Sequence, residues 1–273
     1  MVAAPPPDDG VDTGRPHPAR VYDYFLGGSH HLPVDAEFGA RIVALDPTAP
    51  YGARHNRWFM QRATRHLAGP AGMRQFLDVG SGIPTEPNLH RIAQGIAPEA
   101  RVVYVDHDPI VRVHAAGLLD GTAAGATAFV AADARDPELI LERAAEVLDF
   151  TRPVALSLIA LTHFLDDDQG EGGGAHAVVA RLTAALAPGS HLVLSQLAGD
   201  EDTAWVGEAV DRYTTSGSTL VPRSRAATER FFDGFTLLDP GLVQPPDWRP
   251  ELGVGEVRDG TRVPLYAGVG RTA

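Results

Sequence analysis

The sequence predicts a doubly wound α/β fold preceded by a helical segment. From Gln75 onward, short apolar runs of strand length alternate with amphipathic helical stretches, which is typical of a mostly parallel sheet with helices on both faces. The runs are nearly continuous in apolar residues, as expected of strands buried on both faces. The turn Gly80-Ser81-Gly82 follows the first run, and such sheets bind ligands at the carboxyl ends of their strands.

The segment before the sheet contains helical patterns and no strand pattern. Asp35 is a candidate N-cap for a helix ending near Leu45, and a second helix is predicted over Tyr51–Leu67. This second helix carries a basic set that predicts a solvent-exposed face: Arg54, Arg57, Arg62 and Arg65. The predicted divisions are a disordered, proline-rich tail over 1–14, a helical cap over 15–69 and a ligand-binding domain over 70–273.

The elements of the sheet domain are predicted in order along the chain. The strand-length runs are Gln75–Val79, Arg101–Asp106, Ala128–Asp133, Pro153–Leu161 and Gly189–Leu197. Asp108 and Asp136 each precede a proline and are expected to cap a helix. The last elements are predicted as helices over Thr203–Tyr213 and Ser224–Phe232 and strands over Phe235–Leu238 and Leu265–Val269. The long connection before the last run would allow an antiparallel pair at one side of the sheet.

The composition excludes several classes of site. The chain has no cysteine, and all 23 basic residues are arginine, which excludes thiolate zinc sites, Schiff bases and P-loop lysines. Its formal charge of −12 disfavours nucleic acid as a partner. No apolar run approaches the roughly 18 residues of a membrane helix. We therefore expect a cytoplasmic protein with a small-molecule substrate, with a homodimer as one open possibility for its assembly.

The glycine turn departs from the dinucleotide pattern G-x-G-x-x-G, whose last glycine is replaced here by Thr85. Pro84 and Pro87 lack N–H groups, which makes the loop a poor phosphate cradle. Thr85 is instead expected to cap the following helix. A ligand without phosphate, such as S-adenosylmethionine, tolerates these changes.

Three carboxylates near the predicted strand ends favour an adenosine-type ligand. Asp106 is placed to accept both ribose hydroxyls, and Asp133 to accept from the adenine amino group or a neighbouring amide. Asp78, just before the glycines, is expected to orient the loop or meet an ammonium group through water. The alternative is that such residues only cap helices, as Asp108 is expected to do.

The chain resembles the S-adenosyl methyltransferases once catalogued as domain of unknown function 574. The likeness rests on the stretches ARVYDYFLGGSHHLPVD, FLDVGSGIPTEPNLHRIAQ, RVVYVDHDPIV, AADARDP, GSHLVLSQL and FFDGFTLLDPGLVQPPDWRP. It implies a seven-stranded Rossmann-like methyltransferase sheet whose last strand is antiparallel. It implies cofactor contacts at Gly80, Ser81, Gly82, Asp106, Asp133 and Ala134. We add two candidates from their positions: Asp78, just before the glycine turn, and His107, next to Asp106.

Methyl transfer depends mainly on alignment, so it requires no fixed catalytic signature. His163, after the fourth run, is a candidate base, with a structural loop histidine as the alternative. In the first predicted segment, Asp23 and Tyr24 are catalytic candidates, whereas Tyr22, Gly27 and Gly28 are candidates for a lid that contacts substrate. They are all found in RVYDYFLGG. The adjacent His30 and His31 have no evident third ligand, so no metal site is predicted.

Two other functions remain open at this point. The first is a cofactor-binding module without transferase activity. The second is a nicotinamide-dependent oxidoreductase, which Thr85 and the absence of lysine disfavour.

Overall fold

The computed structural model describes residues 10–115, 120–167, 174–200, 205–255 and 260–273. Its α-helices are α1 (Pro18–Phe25), α2 (Pro33–Leu45), α3 (Ala49–Ala68), α4 (Leu89–Ile96), α5 (Pro109–His114), α6 (Pro137–Ala144), α7 (Ala175–Ala184), α8 (Val206–Thr215) and α9 (Arg225–Glu229). Its strands are β1 (Gln75–Val79), β2 (Arg101–Asp106), β3 (Ala126–Ala131), β4 (Ala155–Ile159), β5 (His191–Leu197), β6 (Phe235–Leu237) and β7 (Leu265–Thr272).

The seven strands form one sheet in the order β3-β2-β1-β4-β5-β7-β6. Strands β1 to β5 are mutually parallel, and β7 runs antiparallel to both of its neighbours, β5 and β6. The predicted fold class is therefore confirmed. Since the chain moves outward from β1 to β3 and then returns to β4 on the other side of β1, the direction of winding changes between β1 and β4. A ligand crevice is expected there.

Local sequence fixes most element ends. Strands β1 and β2 have the predicted bounds, whereas β3 begins and ends two residues earlier than predicted. Asp108 and Asp136 cap α5 and α6, because their side chains accept from backbone N–H groups of the first turn. The expected cap at Thr85 is wrong: α4 starts after Asn88, and the Thr85 N–H donates to Asn88 Oδ1 at 3.1 Å.

The core lies on both faces of the sheet. One face packs against α6 and α7 through residues such as Ile140 and Leu182, both fully buried. The other face packs against α3 and α4, where Phe59 and Leu67 contact the cluster that contains Trp248. Helix α3 is therefore one of the layers that cover the sheet and does not stand apart in a cap.

A smaller helical layer is built from α1, α2 and α8. Its apolar cluster contains Val21, Phe38, Ile42 and Tyr213, and it reaches Leu197, the last residue of β5. These helices thus sit beside the carboxyl ends of the strands, where they can cover a ligand crevice.

The basic face predicted for α3 is not solvent-exposed as a whole. Arg62 is 2% exposed, and its guanidinium donates to the carbonyl oxygens of Trp248 (2.8 Å), Val254 (2.8 Å) and Pro245 (2.6 Å). Burial lowers the pKa of Arg62 to about 10, so the group stays charged at neutral pH. Arg62 ties the proline-rich loop to α3, because buried carbonyl groups require donors.

The N-terminal segment is partly ordered. Residues 1–9 lie outside the described part of the chain, but the Asp12 and Arg15 carbonyls accept from the guanidinium of Arg20 at 2.9 Å each. Val11 packs against the cluster of Ile110 and its neighbours. The predicted disordered tail, residues 1–14, therefore includes residues such as Val11 and Asp12 that have defined contacts. No helix in the described residues has both the length and the apolar character to cross a bilayer.

Candidate functional site

The glycine turn after β1 folds back onto β2. Gly80 and Gly82 have φ angles of +75° and +65°, a region that favours glycine. A Cβ at Gly80 would lie 2.7 Å from Leu161 Cδ1, so the backbone there also needs the space. The N–H groups of Gly80 and Ser81 donate to the Val105 carbonyl at 2.8 and 3.0 Å.

Asp106 completes this loop. Its Oδ2 accepts from the Gly82 N–H at 2.8 Å, and its Oδ1 accepts from the Asp108 N–H at 3.0 Å. The turn's amides are thus already paired within the protein and do not form a pyrophosphate cradle, which argues against a nicotinamide dinucleotide. Each carboxylate oxygen keeps a second lone pair for a ligand hydroxyl.

A cavity of about 130 Å³ opens above the tips of β1, β2 and β4. Its wall consists of His17, Pro18, Ala19, Tyr22, Arg57, Met60, Asp78, Gly80, Ser81, Gly82, Asp106, His107, Ala132, Ala134, Ile159, Ala160, Leu161 and Phe164. The structure therefore brings together seven of the eight residues predicted to contact the cofactor. Asp133 is the exception: it does not line the cavity, and it pairs with the exposed Arg135 at 3.1 Å.

Asp78 and Arg57, which carry opposite charges, both line this cavity and interact electrostatically. Burial raises the pKa of Asp78 to about 6, while Ser157 and Arg57 oppose that rise. Burial likewise lowers the pKa of Arg57, which Tyr22 and Asp78 partly restore. The guanidinium is anchored on the Thr85 carbonyl, and its Nε is buried without a partner among the described residues. A ligand that carries both a carboxylate and an ammonium group matches this pair.

The sequence predicts Arg57 on a solvent-exposed face, whereas the structure places it in the wall of the cavity. It lies four residues after Ala53 and three before Met60, and both are buried. That helical spacing places Arg57 on the inward face of α3. The periodicity was the signal that could have found it.

Within RVYDYFLGG, Tyr22 reaches the site. It lines the cavity above the strand tips, its hydroxyl donates to the Ala53 carbonyl at 3.0 Å, and it accepts from Asn56 Nδ2 at 3.1 Å. Burial raises the pKa of Tyr22, so it stays a neutral hydroxyl. Tyr22 is thus a fixed part of the wall.

The catalytic candidates Asp23 and Tyr24 line neither this cavity nor the next. Asp23 is 3% exposed, and its Oδ2 accepts from the N–H groups of His30 and His31 at 3.0 Å and contacts His31 Nδ1 at 2.9 Å. Tyr24 packs against Gly39, where a Cβ would lie 2.4 Å from its ring. This geometry favours structural roles for both.

The glycine pair terminates α1. Gly27 adopts φ +74°, its N–H donates to the Tyr24 carbonyl, and the Gly28 N–H donates to the Asp23 carbonyl. This is the Schellman arrangement at a helix C-terminus. A hinge is not needed to explain either glycine, and neither lines the first or the second cavity.

A second cavity of about 120 Å³ lies beneath α1 and α2 and adjoins the first. The two share Pro18, Tyr22, Ala160 and Phe164. His163 lines the second cavity, where its Nδ1 accepts from the Leu197 N–H at 3.3 Å. Burial and Arg223 lower the pKa of His163 to about 3, which makes it a weak base at neutral pH.

Histidines near the cap are engaged within the protein. His30 packs against His114 with ring centroids 4.3 Å apart, and His31 contacts Asp23. Among the described residues, no group of three or more metal-ligating side chains is found.

Comparison with known proteins decides the family. The profile of the S-adenosyl methyltransferase family matches residues 5–273. The chain belongs to this family. It shares 43% identity with a DUF574 family protein from Streptomyces avermitilis, with 96% and 99% of the two chains covered and a TM-score of 0.90. It shares 37% identity with a candidate methyltransferase from Thermobifida fusca, with 98% of each chain covered and a TM-score of 0.88. No curated protein sequence matches it significantly.

The cavity of this S-adenosylmethionine-dependent methyltransferase fits its cofactor. Asp78 and Arg57 carry charges opposite to those of a zwitterionic amino acid, and Asp106 keeps lone pairs for hydroxyl donors. Ala132 and Ala134 also line the cavity, and their short side chains leave room there for a planar ring. Ser81 Oγ is buried with no partner in the described residues, a polar atom that a ligand can satisfy.

The raised pKa of Asp78 gives the methyltransferase a testable pH dependence. Since its pKa in the folded state (about 6) exceeds the ordinary value of 3.8, its contribution to stability is full below about pH 4 and is lost as pH rises through 6. We expect Asp78→Asn to gain about 1.5 kcal/mol in unfolding free energy over wild type at pH 5, where half of the loss has already occurred, and up to about 3 kcal/mol at pH 8. Urea denaturation at both values measures this gain.

The exposed Asp120 supplies the control, since Asp120→Asn is expected to change stability equally at both pH values. An Asp78→Asn variant with the same difference from wild type at pH 5 and pH 8 would contradict the assignment.

Proposed function

We propose that this methyltransferase acts on a small-molecule acceptor held in the second cavity. The observation that carries the proposal is that the two cavities are adjacent, since residues such as Tyr22 and Ala160 line both of them. An acceptor in the second cavity therefore lies beside the cofactor in the first. Methyl transfer requires this proximity and alignment more than any particular base.

The cofactor-binding residues are proposed from their positions. S-adenosylmethionine, when bound, supplies an electrophilic methyl group on sulfur. Asp106 holds the glycine turn and accepts from ribose hydroxyls, while Arg57 and Asp78 bind the carboxylate and ammonium groups. His107 closes the outer side of the cavity, with its Nε2 3.4 Å from His17 Nε2.

The helical layer is proposed to exclude water from the reaction. Pro18 and Tyr22 of α1 line both cavities. Covering the site with this helix excludes water and strengthens the electrostatic interactions inside it. Asp23, Gly27 and Gly28 support this wall indirectly, because they fix the end of α1. His163 is proposed to shape the acceptor cavity.

The acceptor is proposed to be a free small molecule in the cytoplasm and not a nucleic acid. The net charge of −12 repels phosphate backbones. The cation at Arg57 is enclosed in the cofactor cavity and offers no exposed basic surface.

Arg57→Met tests the proposed carboxylate contact. The variant keeps the length and apolar stem of the side chain but removes the cation, so we expect S-adenosylhomocysteine to bind roughly 10- to 100-fold more weakly. Isothermal titration calorimetry measures the affinity. Arg54→Met, on the same helix but not in the cavity wall, is the matched control and should bind normally. Equal affinities for all three proteins would refute the contact.

The function itself is tested by turnover. Purified protein is incubated with S-adenosylmethionine and a panel of small hydroxyl- and amine-bearing compounds, and S-adenosylhomocysteine is quantified by mass spectrometry. We expect acceptor-dependent product. Tight S-adenosylhomocysteine binding without turnover on any acceptor would instead favour a binding module.

A further inference from the structure

The second cavity has an unusual balance of apolar wall and unpaired polar atoms. Its aromatic and aliphatic lining includes Phe25, Ile42, Phe164, Leu197, Trp205, Tyr213, Leu220 and Leu265. Its volume of about 120 Å³ is close to the roughly 150 Å³ of an apolar cavity that accepts benzene. The space therefore matches a single aromatic ring.

Asp46 places an unpaired carboxylate oxygen at this cavity. The residue lines the cavity and is 6% exposed. Its Oδ1 accepts from the Thr48 N–H at 2.9 Å and from Thr48 Oγ1 at 2.7 Å. Its Oδ2 is buried and has no partner in the described part of the chain. A buried acceptor of this kind is costly unless a ligand donates to it.

Asn56 adds a second acceptor, and its orientation is fixed. The Tyr22 hydroxyl donates to the Ala53 carbonyl, so it can only accept from Asn56, whose Nδ2 lies 3.1 Å away. The amide oxygen, Oδ1, must then point elsewhere. It is buried without a partner among the residues described, and Asn56 lines the cavity.

We propose that the cavity binds a single-ring aromatic or heteroaromatic acceptor whose O–H or N–H group donates to one of two unpaired acceptors, Asp46 Oδ2 or Asn56 Oδ1. The proposal rests on the proposed function, since the ligand must lie beside the cofactor cavity. Both unpaired atoms are acceptors, so a ring that offers only acceptors, such as a methyl ether, leaves them unsatisfied. The wall thus selects substrate over its O-methylated product.

The test is a binding measurement, independent of turnover. The protein is saturated with S-adenosylhomocysteine, and 4-methylphenol and 4-methylanisole are titrated by ligand-observed NMR. We expect wild type to bind the phenol at least about 10-fold more tightly, as a hydrogen bond to a buried carboxylate implies. Asp46→Asn should bind the anisole normally, and its preference for the phenol should fall below about 3-fold.

Matched variants keep the result decisive. Glu37→Gln removes the same charge from an exposed position on α2, where its side chain is 74% exposed, and should keep the preference. If Asp46→Asn does not fold, Asn56→Leu removes the second acceptor and should also reduce the preference.

Three results would overturn the proposal: no binding of either ring, equal affinity of wild type for both rings, or a preference that survives Asp46→Asn. Failure of S-adenosylhomocysteine to bind would instead refute the cofactor assignment on which the cavity's role depends.

Discussion

Asp106→Ala is expected to weaken S-adenosylhomocysteine binding by about 1–3 kcal/mol, or roughly 5- to 150-fold. The carboxylate has two tasks that alanine cannot perform. It accepts from the N–H groups of Gly82 and Asp108, which fixes the glycine turn, and it is the proposed acceptor for the ribose hydroxyls. Isothermal titration calorimetry with the purified variant measures the affinity.

Asp106→Asn separates the two tasks. It keeps one acceptor oxygen for a backbone amide but replaces the other by a donor, so we expect an intermediate loss of affinity. Asp133→Ala is the companion variant: Asp133 pairs with Arg135 outside the cavity wall, and its loss should change affinity less than about 3-fold, on the order of 0.6 kcal/mol. Unchanged binding in Asp106→Ala would contradict the ribose assignment.

The sheet was predictable because each strand carries its own signal. Residues 102–105 of β2 are apolar at every position and all buried, so both faces of such a strand must be covered. The dipeptides Asp108–Pro109 and Asp136–Pro137 specify helix starts through purely local hydrogen bonds. Signals of this kind do not depend on distant residues, and the structure agrees with them.

The site was predictable only where it belongs to the sheet. Gly80, Gly82 and Asp106 follow strands directly, and parallel strands bring their carboxyl ends together. Asp133 follows the same rule in sequence, but the end of β3 falls at Ala131, two residues earlier than predicted. That shift turns Ala132 and Ala134 to the cavity and leaves Asp133 beside it.

Contacts between the helical layer and the sheet were not predictable from local patterns. Arg57 and Arg62 lie on one helix within a run of arginines, yet one faces the cofactor cavity and the other binds three carbonyls of a loop more than 180 residues away in sequence. Only the folded chain brings those carbonyls to α3. Similarly, the acceptor atoms of Asp46 and Asn56 become unpaired, and hence informative, only once the cavity around them exists.

Gly28→Ala is expected to destabilise the fold by at least about 3 kcal/mol, far more than Gly27→Ala. A Cβ at Gly28 would lie 2.0 Å from Asp23 Oδ1 and 2.5 Å from its Cγ. The Asp23 carboxylate cannot move aside without losing its contacts with His30 and His31, and hydrogen bonds to a buried charge are worth about 1.5–3 kcal/mol each. Urea denaturation monitored by circular dichroism measures the loss.

Gly27→Ala is the matched control, because at Gly27 the backbone conformation is unfavourable for alanine but there is space for its Cβ. Gly27 has φ +74°, but no atom lies within 4 Å of the position that a Cβ would take there, so alanine costs only the left-handed backbone penalty of about 1–2 kcal/mol. If both variants lose the same stability, close packing against Asp23 is not what requires glycine at position 28. The double variant Asp23→Ala/Gly28→Ala decides the point: removing the carboxylate removes the clash, so Gly28→Ala should cost little more in that background.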